Sequence, residues 1–189
     1  MRARFAYCGM IISDQDLSFC RWVAEQRNAS HSDATNERIS TRDSDVVIHL
    51  EGVLAEMAWR RALGISDAEP WLFEGRDPGW DFQWAGLTVD CKASKRYAKM
   101  MMIPEYKTLT AQVYVMATVE ALDRVGYRSA YMVRPIGGIS RARFMRIHQI
   151  GREFPPFRVS TRWVWLEDLC PIEGLQSVPT ASEDVDCRG

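Results

Sequence analysis

Asp81, Asp90 and Lys92 fall within one short segment, Gly79-Trp-Asp-Phe-Gln-Trp-Ala-Gly-Leu-Thr-Val-Asp-Cys-Lys92, whose pattern brings two carboxylates and an amine together. Read as a β-hairpin with Ala85-Gly86 as its two-residue turn, it sets Trp84 against Leu87, Gln83 against Thr88, Phe82 against Val89 and Asp81 against Asp90. Side chains alternate faces along a strand. One face therefore carries Phe82, Trp84, Leu87, Val89 and Cys91, all apolar, and the other Asp81, Gln83, Thr88, Asp90 and Lys92, all polar. Directly opposed residues lie about 4.5–5.5 Å apart at Cβ, and like charges there repel. Facing acids call for a cation or a proton between them, so the segment predicts a divalent-metal site with an amine one strand position beyond. Solvated acids at the ends of a hairpin are the commoner arrangement. A clean apolar face, two facing acids and a lysine two residues on favour the site. Ala-Gly is a weaker turn signal than Asn-Gly, and a slip of one residue would put the acids on opposite faces.

Asp81, eight intervening residues and then Asp90-Cys91-Lys92 resemble the PD-(D/E)XK nuclease superfamily, whose signature is an Asp, a strand turn, and then Asp or Glu, any residue and Lys. Gly52-Val-Leu-Ala-Glu56 resembles the glutamate-bearing first helix of that fold. The likeness covers residues 49–94, and the order of elements is compatible to about residue 170. Trp80 stands where proline usually precedes the first Asp, and Asp90 where Glu is the most frequent choice. The resemblance implies an α/β protein with a restriction-endonuclease-like α/β/α core: a central mixed sheet with a catalytic β-hairpin, flanked by helices. It implies a metal-dependent deoxyribonuclease of phage or bacterial DNA metabolism using Mg²⁺, with Mn²⁺ as a substitute. Mg²⁺ takes one or two carboxylates plus phosphate oxygens. Asp81 and Asp90 fit as ligands, and the resemblance adds the Cys91 carbonyl. Glu56 would orient the water or bind a second ion, with Glu51 as the fallback on the same helix. Lys92 would orient or help deprotonate the attacking water and stabilise the phosphoryl charge. The alternative is a catalytically silent nuclease-fold protein that binds nucleic acid or serves as an inhibitor or assembly partner.

The net charge of −1 conceals a segregated distribution. Residues 1–91 balance at −6, residues 92–162 at +10 and residues 163–189 at −5. The basic block starts at Lys92 and abuts the acidic segment. Lys95, Arg96, Lys99, Arg141 and Arg143 are its candidates for holding a nucleic-acid backbone, which such clusters bind with strong salt dependence. DNA is the expected partner, RNA is also compatible, and so is a homodimer. A solvated, unevenly charged surface is the bland counterpart of this reading.

At 189 residues, 47% of them hydrophobic, the chain suits one folded domain over residues 1–176, followed by a polar, acidic tail from 177 to 189. Five cysteines without Cys-x-x-Cys spacing predict free thiols in a reducing, cytoplasmic setting. The three scattered histidines offer no zinc pair. No apolar run approaches a membrane span, and Phe5–Ile12 does not read as a signal peptide.

The elements that must position the acids follow from periodicity. Ser13 and Asp16 open a helix over about 14–28, a polar connector follows to about 45, and a second helix runs over about 50–63 to a cap at Gly64. Glu56 lies beside that helix's apolar stripe, where an exposed pair with Arg60 is its ordinary use, and Gly52 would allow a close approach. Met100-Met-Met102 reads as core filling. Strands are expected over 111–119, 127–133 (closed by Pro135 and Gly137-Gly138) and 159–166, with a helix capped by Ser140 running to about 149.

Overall fold

The computed structural model describes residues 9–30, 45–68, 70–72, 78–122, 130–151 and 159–176. The expected polar connector before residue 45 and the C-terminal tail from 177 lie outside the described residues.

Two helices precede the sheet. Helix α1 (Asp14–Ser30) starts at a serine cap: the Asp16 amide donates to Ser13 Oγ (3.1 Å), and the Ser13 hydroxyl donates to Asp16 Oδ2 (2.8 Å). Helix α2 (Asp45–Ala62) ends in a Schellman turn at Gly64, whose φ of 71° suits glycine. Ile65 N–H reaches Arg60 O (2.8 Å), and Gly64 N–H reaches Arg61 O (3.2 Å). Arg61 ties the helices together through both oxygens of Asp16 (2.7 and 2.9 Å). Every residue of α2 from Val53 to Arg60 is buried, because α1 covers one side of the helix and the sheet the other. The expected polar side of α2 is therefore missing over this stretch. Nor does Gly52 mark a close approach, since a Cβ there would meet nothing within 4 Å.

The main sheet has the order β1-β6-β5-β3-β2. It comprises β1 (Met10–Ile11), β2 (Phe82–Trp84), β3 (Leu87–Lys95), β5 (Val113–Leu122) and β6 (Ala130–Ser140). β3 runs parallel to β5 and antiparallel to β2, and β5 antiparallel to β6, so the sheet is mixed. A second, three-stranded sheet of order β4-β8-β7 contains β4 (Met100–Pro104), β7 (Gln149–Gly151) and β8 (Thr161–Trp165). Helix α3 (Arg141–Ile147) is capped by Ser140 as expected, and α4 (Ile172–Gln176) is a single short turn.

This arrangement is mixed α/β, with one difference from the expected α/β/α layering. Helices α1 and α2 cover one face of the main sheet over a core that includes Val53, Leu54, Met57, Val89 and Val115. The other face packs mainly on the second sheet and α3, through Met101, Ile103, Tyr114, Met116, Phe144 and Val164. β5, covered on both faces, is buried from Val113 to Val119. β6 runs past Pro135 and the diglycine that were expected to close it. The chain can continue because a register shift opposite Met116 and Ala117 absorbs the irregularity, and because Cys170 pairs with Gly138 through two backbone hydrogen bonds (2.8 and 2.9 Å). A Cβ on Gly137 would stand 2.5 Å from Cys170 O, so glycine is what this approach requires. Cys20 and Cys91 are free thiols, whereas Cys170 is disulfide-bonded, which corrects the expectation of thiols throughout. Among the described residues no helix is long and apolar enough to cross a membrane.

The hairpin has the expected register: Phe82 faces Val89, Gln83 faces Thr88 and Trp84 faces Leu87. Ala85 (φ 50°) and Gly86 (φ 81°) both occupy the left-handed region, as a two-residue turn of type I′ demands. Ala85 holds this conformation at a cost that asparagine largely avoids. Ala85→Asn is expected to raise unfolding free energy by about 0.5–1 kcal/mol, measured by urea denaturation, without altering the hairpin. A loss of stability would mean that the Ala85 methyl makes a contact worth more than the backbone strain.

Candidate functional site

Asp81 sits where the hairpin ladder ends. Its amide donates to Val89 O (2.8 Å), and its carboxylate Oδ2 accepts the Cys91 amide (2.6 Å), a ladder donor that would otherwise lack a partner there. Its carbonyl accepts from Arg60 Nη2 (3.3 Å). The next residues of β3 alternate as the pattern requires: Val89 and Cys91 are buried toward α2, and Asp90 and Lys92 project to the opposite face. There Asp90 lies beside Tyr114 and Lys92 beside Met116 in the parallel register with β5. Lys92 Nζ donates to Asp90 Oδ1 at 2.6 Å. The structure thus brings together Asp81, Asp90 and Lys92.

Glu56 is placed differently. It is 2% exposed and is gripped by Arg27 of α1, with Nη1 on Oε1 (2.5 Å) and Nη2 on Oε2 (2.9 Å); Nη2 also reaches Trp71 O (2.8 Å). The ordinary alternative, an exposed pair with Arg60, is not what is found, since both residues are buried. Arg60 is itself buried, bonded to Pro70 O (2.6 Å) and stacked over Trp71 at 4.2 Å. A carboxylate on a helix buried all round must find a cation, and the covering helix supplies it. Glu51, the fallback, pairs with Lys95 near the start of α2.

Electrostatics link the three acids through Asp81. Burial pushes Glu56 up to about 7; the Asp81 charge adds to this and Arg27 opposes it. Burial likewise pushes Asp90 up to about 6, with Lys92 opposing and Asp81 adding. For Lys92, burial works against the ammonium form, but the nearby Asp90 and Asp81 charges outweigh it and raise the pKa. The Cys91 thiol, buried toward the core, is pushed well up by desolvation and is no thiolate ligand. Only its carbonyl stays available to the role implied by the resemblance.

The donor set suits a hard divalent cation. Asp81 Oδ1 and Asp90 Oδ2 carry no hydrogen bond within the described residues, so each acid keeps an oxygen for a ligand. Among the described residues no three His, Cys, Asp or Glu side chains converge as a metal-holding group. Two carboxylates with a backbone carbonyl are therefore the set to consider, and Glu56 is held apart by Arg27.

The expected nucleic-acid cations divide. Lys95 pairs with Glu51, and Arg96 pairs with Glu120 (2.6 Å), while Lys99 and Arg141 are exposed. Arg143 is a correction: its side chain is 6% exposed and its Nη1 lies 3.6 Å from Cys170 Sγ, since α3 turns this position inward beside Phe144. Sequence reasoning missed Arg27 and the buried Arg60. Nothing local marks them, since both are defined by contacts across the helix layer. Comparison with known families, characterised proteins and solved structures finds no match to this chain.

The Arg27–Glu56 pair yields a pH-dependent prediction. The folded protein holds the Glu56 proton more tightly than the unfolded chain, so this group's contribution to stability falls as pH rises from about 4.5 to about 7. Arg27→Ala leaves the carboxylate buried without its cation, a change that costs about 3–5 kcal/mol when the acid is ionised. The loss should be near that size at pH 8 and clearly smaller at pH 5, where Glu56 keeps its proton, as read by denaturant titration. Equal losses at both pH values would assign Arg27 to packing alone.

Proposed function

We propose that this chain is a metal-dependent phosphodiesterase acting on nucleic acid, and specifically a Mg²⁺-dependent deoxyribonuclease of restriction-endonuclease-like fold. The observation that carries the reading is the gathering of Asp81 and Asp90 at the hairpin end, close enough for the Asp81 charge to act on Asp90, each with one oxygen that takes no hydrogen bond among the described residues, beside the Lys92 ammonium. The parallel pairing of β3 with β5 and the helix-borne Glu56 behind the hairpin also support it.

Hydrolysis of a phosphodiester needs an activated water, neutralised phosphoryl charge and a stabilised leaving alkoxide. A divalent cation held by Asp81 Oδ1, Asp90 Oδ2 and the Cys91 carbonyl would act as the Lewis acid. The protein's own part is clearest for Lys92. Its raised pKa keeps it an ammonium, so it serves as a donor to the phosphoryl oxygens or the water and not as a base. Asp90 accepts one of its hydrogens, and the ammonium has two more to donate. Asp81, fixed by the Cys91 amide, cannot swing away when the cation leaves. Glu56 adds negative potential behind Asp81, and in this reading it is a positioning acid locked by Arg27.

The test is cleavage of supercoiled, linear and branched DNA with Mg²⁺, Mn²⁺ or EDTA. Wild type should cut with metal only. Asp90→Ala should be inactive, and Lys92→Ala should lose about 10²–10³-fold while remaining folded by circular dichroism. Absence of cutting by wild type with either metal would remove the catalytic reading and leave a nucleic-acid-binding or protein-interaction role.

Asp90 also sets a pH limit. Its carboxylate, raised by burial and by Asp81 against the pull of Lys92 and Lys107, takes a proton below about 6. Mg²⁺ affinity, followed by calorimetry, is expected to fall roughly tenfold per unit below that pH and to level above it. An affinity flat from pH 5 to 8 would show that Asp90 is not a ligand.

A further inference from the structure

A pocket of about 460 Å³ brings together Lys107, Arg141 and Arg162 with Tyr106 and Met145. Its wall is assembled from segments far apart in sequence: the turn after β4, the start of α3, and β8. Arg141 Nη1 donates to Leu109 O (3.3 Å), and Arg162 Nη1 donates to Lys107 O (3.1 Å). Bonds to neutral carbonyls orient the guanidinium groups without cancelling their charge. Among the described residues, none of these three cations is paired with a carboxylate. Glu105 is the single acid among the described residues of the lining, against three cations.

Two further features narrow the ligand. Tyr106 is 56% exposed and Met145 49% exposed, so apolar and aromatic surface is held out beside the cations. The pocket also lies on the face of the sheet that bears Asp90: Leu109 of its lining packs against the same core as Tyr114, the β5 neighbour of Asp90. A bare anion site would have no use for the aromatic ring. A nucleotide uses both, with its phosphate on the cations and its base on the ring. The volume is at the small end of ligand-pocket sizes, room for one nucleotide and not for a base pair with both of its backbones.

We propose that this pocket is a subsite for one unpaired nucleotide of a nucleic-acid strand, the phosphate held by Lys107, Arg141 and Arg162 and the base lying against Tyr106. The proposal deepens the phosphodiesterase reading and rests on it for the placing of that strand across Asp81 and Asp90. It makes the substrate a single strand, an overhang or a frayed end.

The experiment measures binding apart from cutting. Fluorescence anisotropy in EDTA would compare a labelled single-stranded 12-mer with its duplex, using the full chain as wild type and as Asp90→Ala. The single strand should bind at least tenfold more tightly than the duplex. Tyr106→Ala should weaken it about tenfold, with Tyr106→Trp restoring it. Lys107→Gln with Arg162→Gln should weaken it and flatten its salt dependence, for which about 0.7 is expected per phosphate contact on a log–log plot. Thymidine 5′-monophosphate should compete better than inorganic phosphate at equal concentration. Equal affinity for duplex and strand, competition by phosphate as strong as by the nucleotide, or no effect of the Tyr106 and Lys107/Arg162 variants would each overturn the proposal. Strand binding with these dependences, in a wild type that cuts no DNA with Mg²⁺, would uphold the subsite and remove the nuclease reading. Metal-dependent cutting with no strand preference would do the reverse.

Discussion

The hydrogen bond from the Cys91 amide to the Asp81 carboxylate is the point on which the rest of the site depends. A β-ladder that stops one residue short leaves a donor in a half-buried place, and an unmade bond there is costly. The Asp81 side chain fills that role, so one carboxylate both completes the sheet and sets its charge near Asp90. The hairpin register, the alternation along β3 and the position of Lys92 all follow from the same two-residue turn. Shifting the turn by one residue would strand the Cys91 amide, send Lys92 into the helix-facing core and expose Val89.

Behind the hairpin, the helix layer holds charge inside the protein by supplying partners from several segments. Arg27 reaches from α1 to Glu56, Arg60 crosses from α2 to the Pro70 and Asp81 carbonyls, and Arg61 returns from α2 to Asp16. Each guanidinium spans two segments with a planar set of donors, which lysine could not do in the same space. These bridges fix α2 against the strand end that carries Asp81. They also explain how a helix can bury eight consecutive residues, Val53 to Arg60, including an acid and a base.

What the sequence made legible was local. The hairpin register, the two-faced pattern of β3, the Ser13 cap and the Gly64 terminus each follow from neighbours within a few residues, and the structure has all of them; β5 is a strand as expected, but it is buried on both faces from Val113 to Val119 and not alternately. What it hid was long-range. Met100-Met101-Met102-Ile103-Pro104 shows no alternation, yet it becomes β4 because Thr161–Trp165 pairs with it from about sixty residues away. Glu56 looked like a surface residue because an apolar stripe does not reveal that a second helix covers the opposite side. Arg143 looked exposed because three arginines on a short helix do not indicate which one turns inward. The diglycine of β6 reads in sequence as a strand end, and only the Cys170 segment, about thirty residues on, shows that it serves a close approach.

Asp81 also gives the site a reason to respond to its occupant. Its charge raises both Glu56, behind the hairpin, and Asp90, in front of it. Lys92 offsets part of that repulsion in front, and Arg27 does so behind, so the acids are balanced in pairs around a shared centre. A cation between Asp81 and Asp90 would cancel the charge that both other acids feel. It would favour the ionised form of Glu56 and thereby strengthen its pairing with Arg27. Linkage is reciprocal: whatever tightens the α1–α2 contact at Glu56 also favours the cation. On the proposed cation site, the stability of the helix layer and the affinity of the hairpin for a cation would then be coupled through one carboxylate, held in place by one backbone amide.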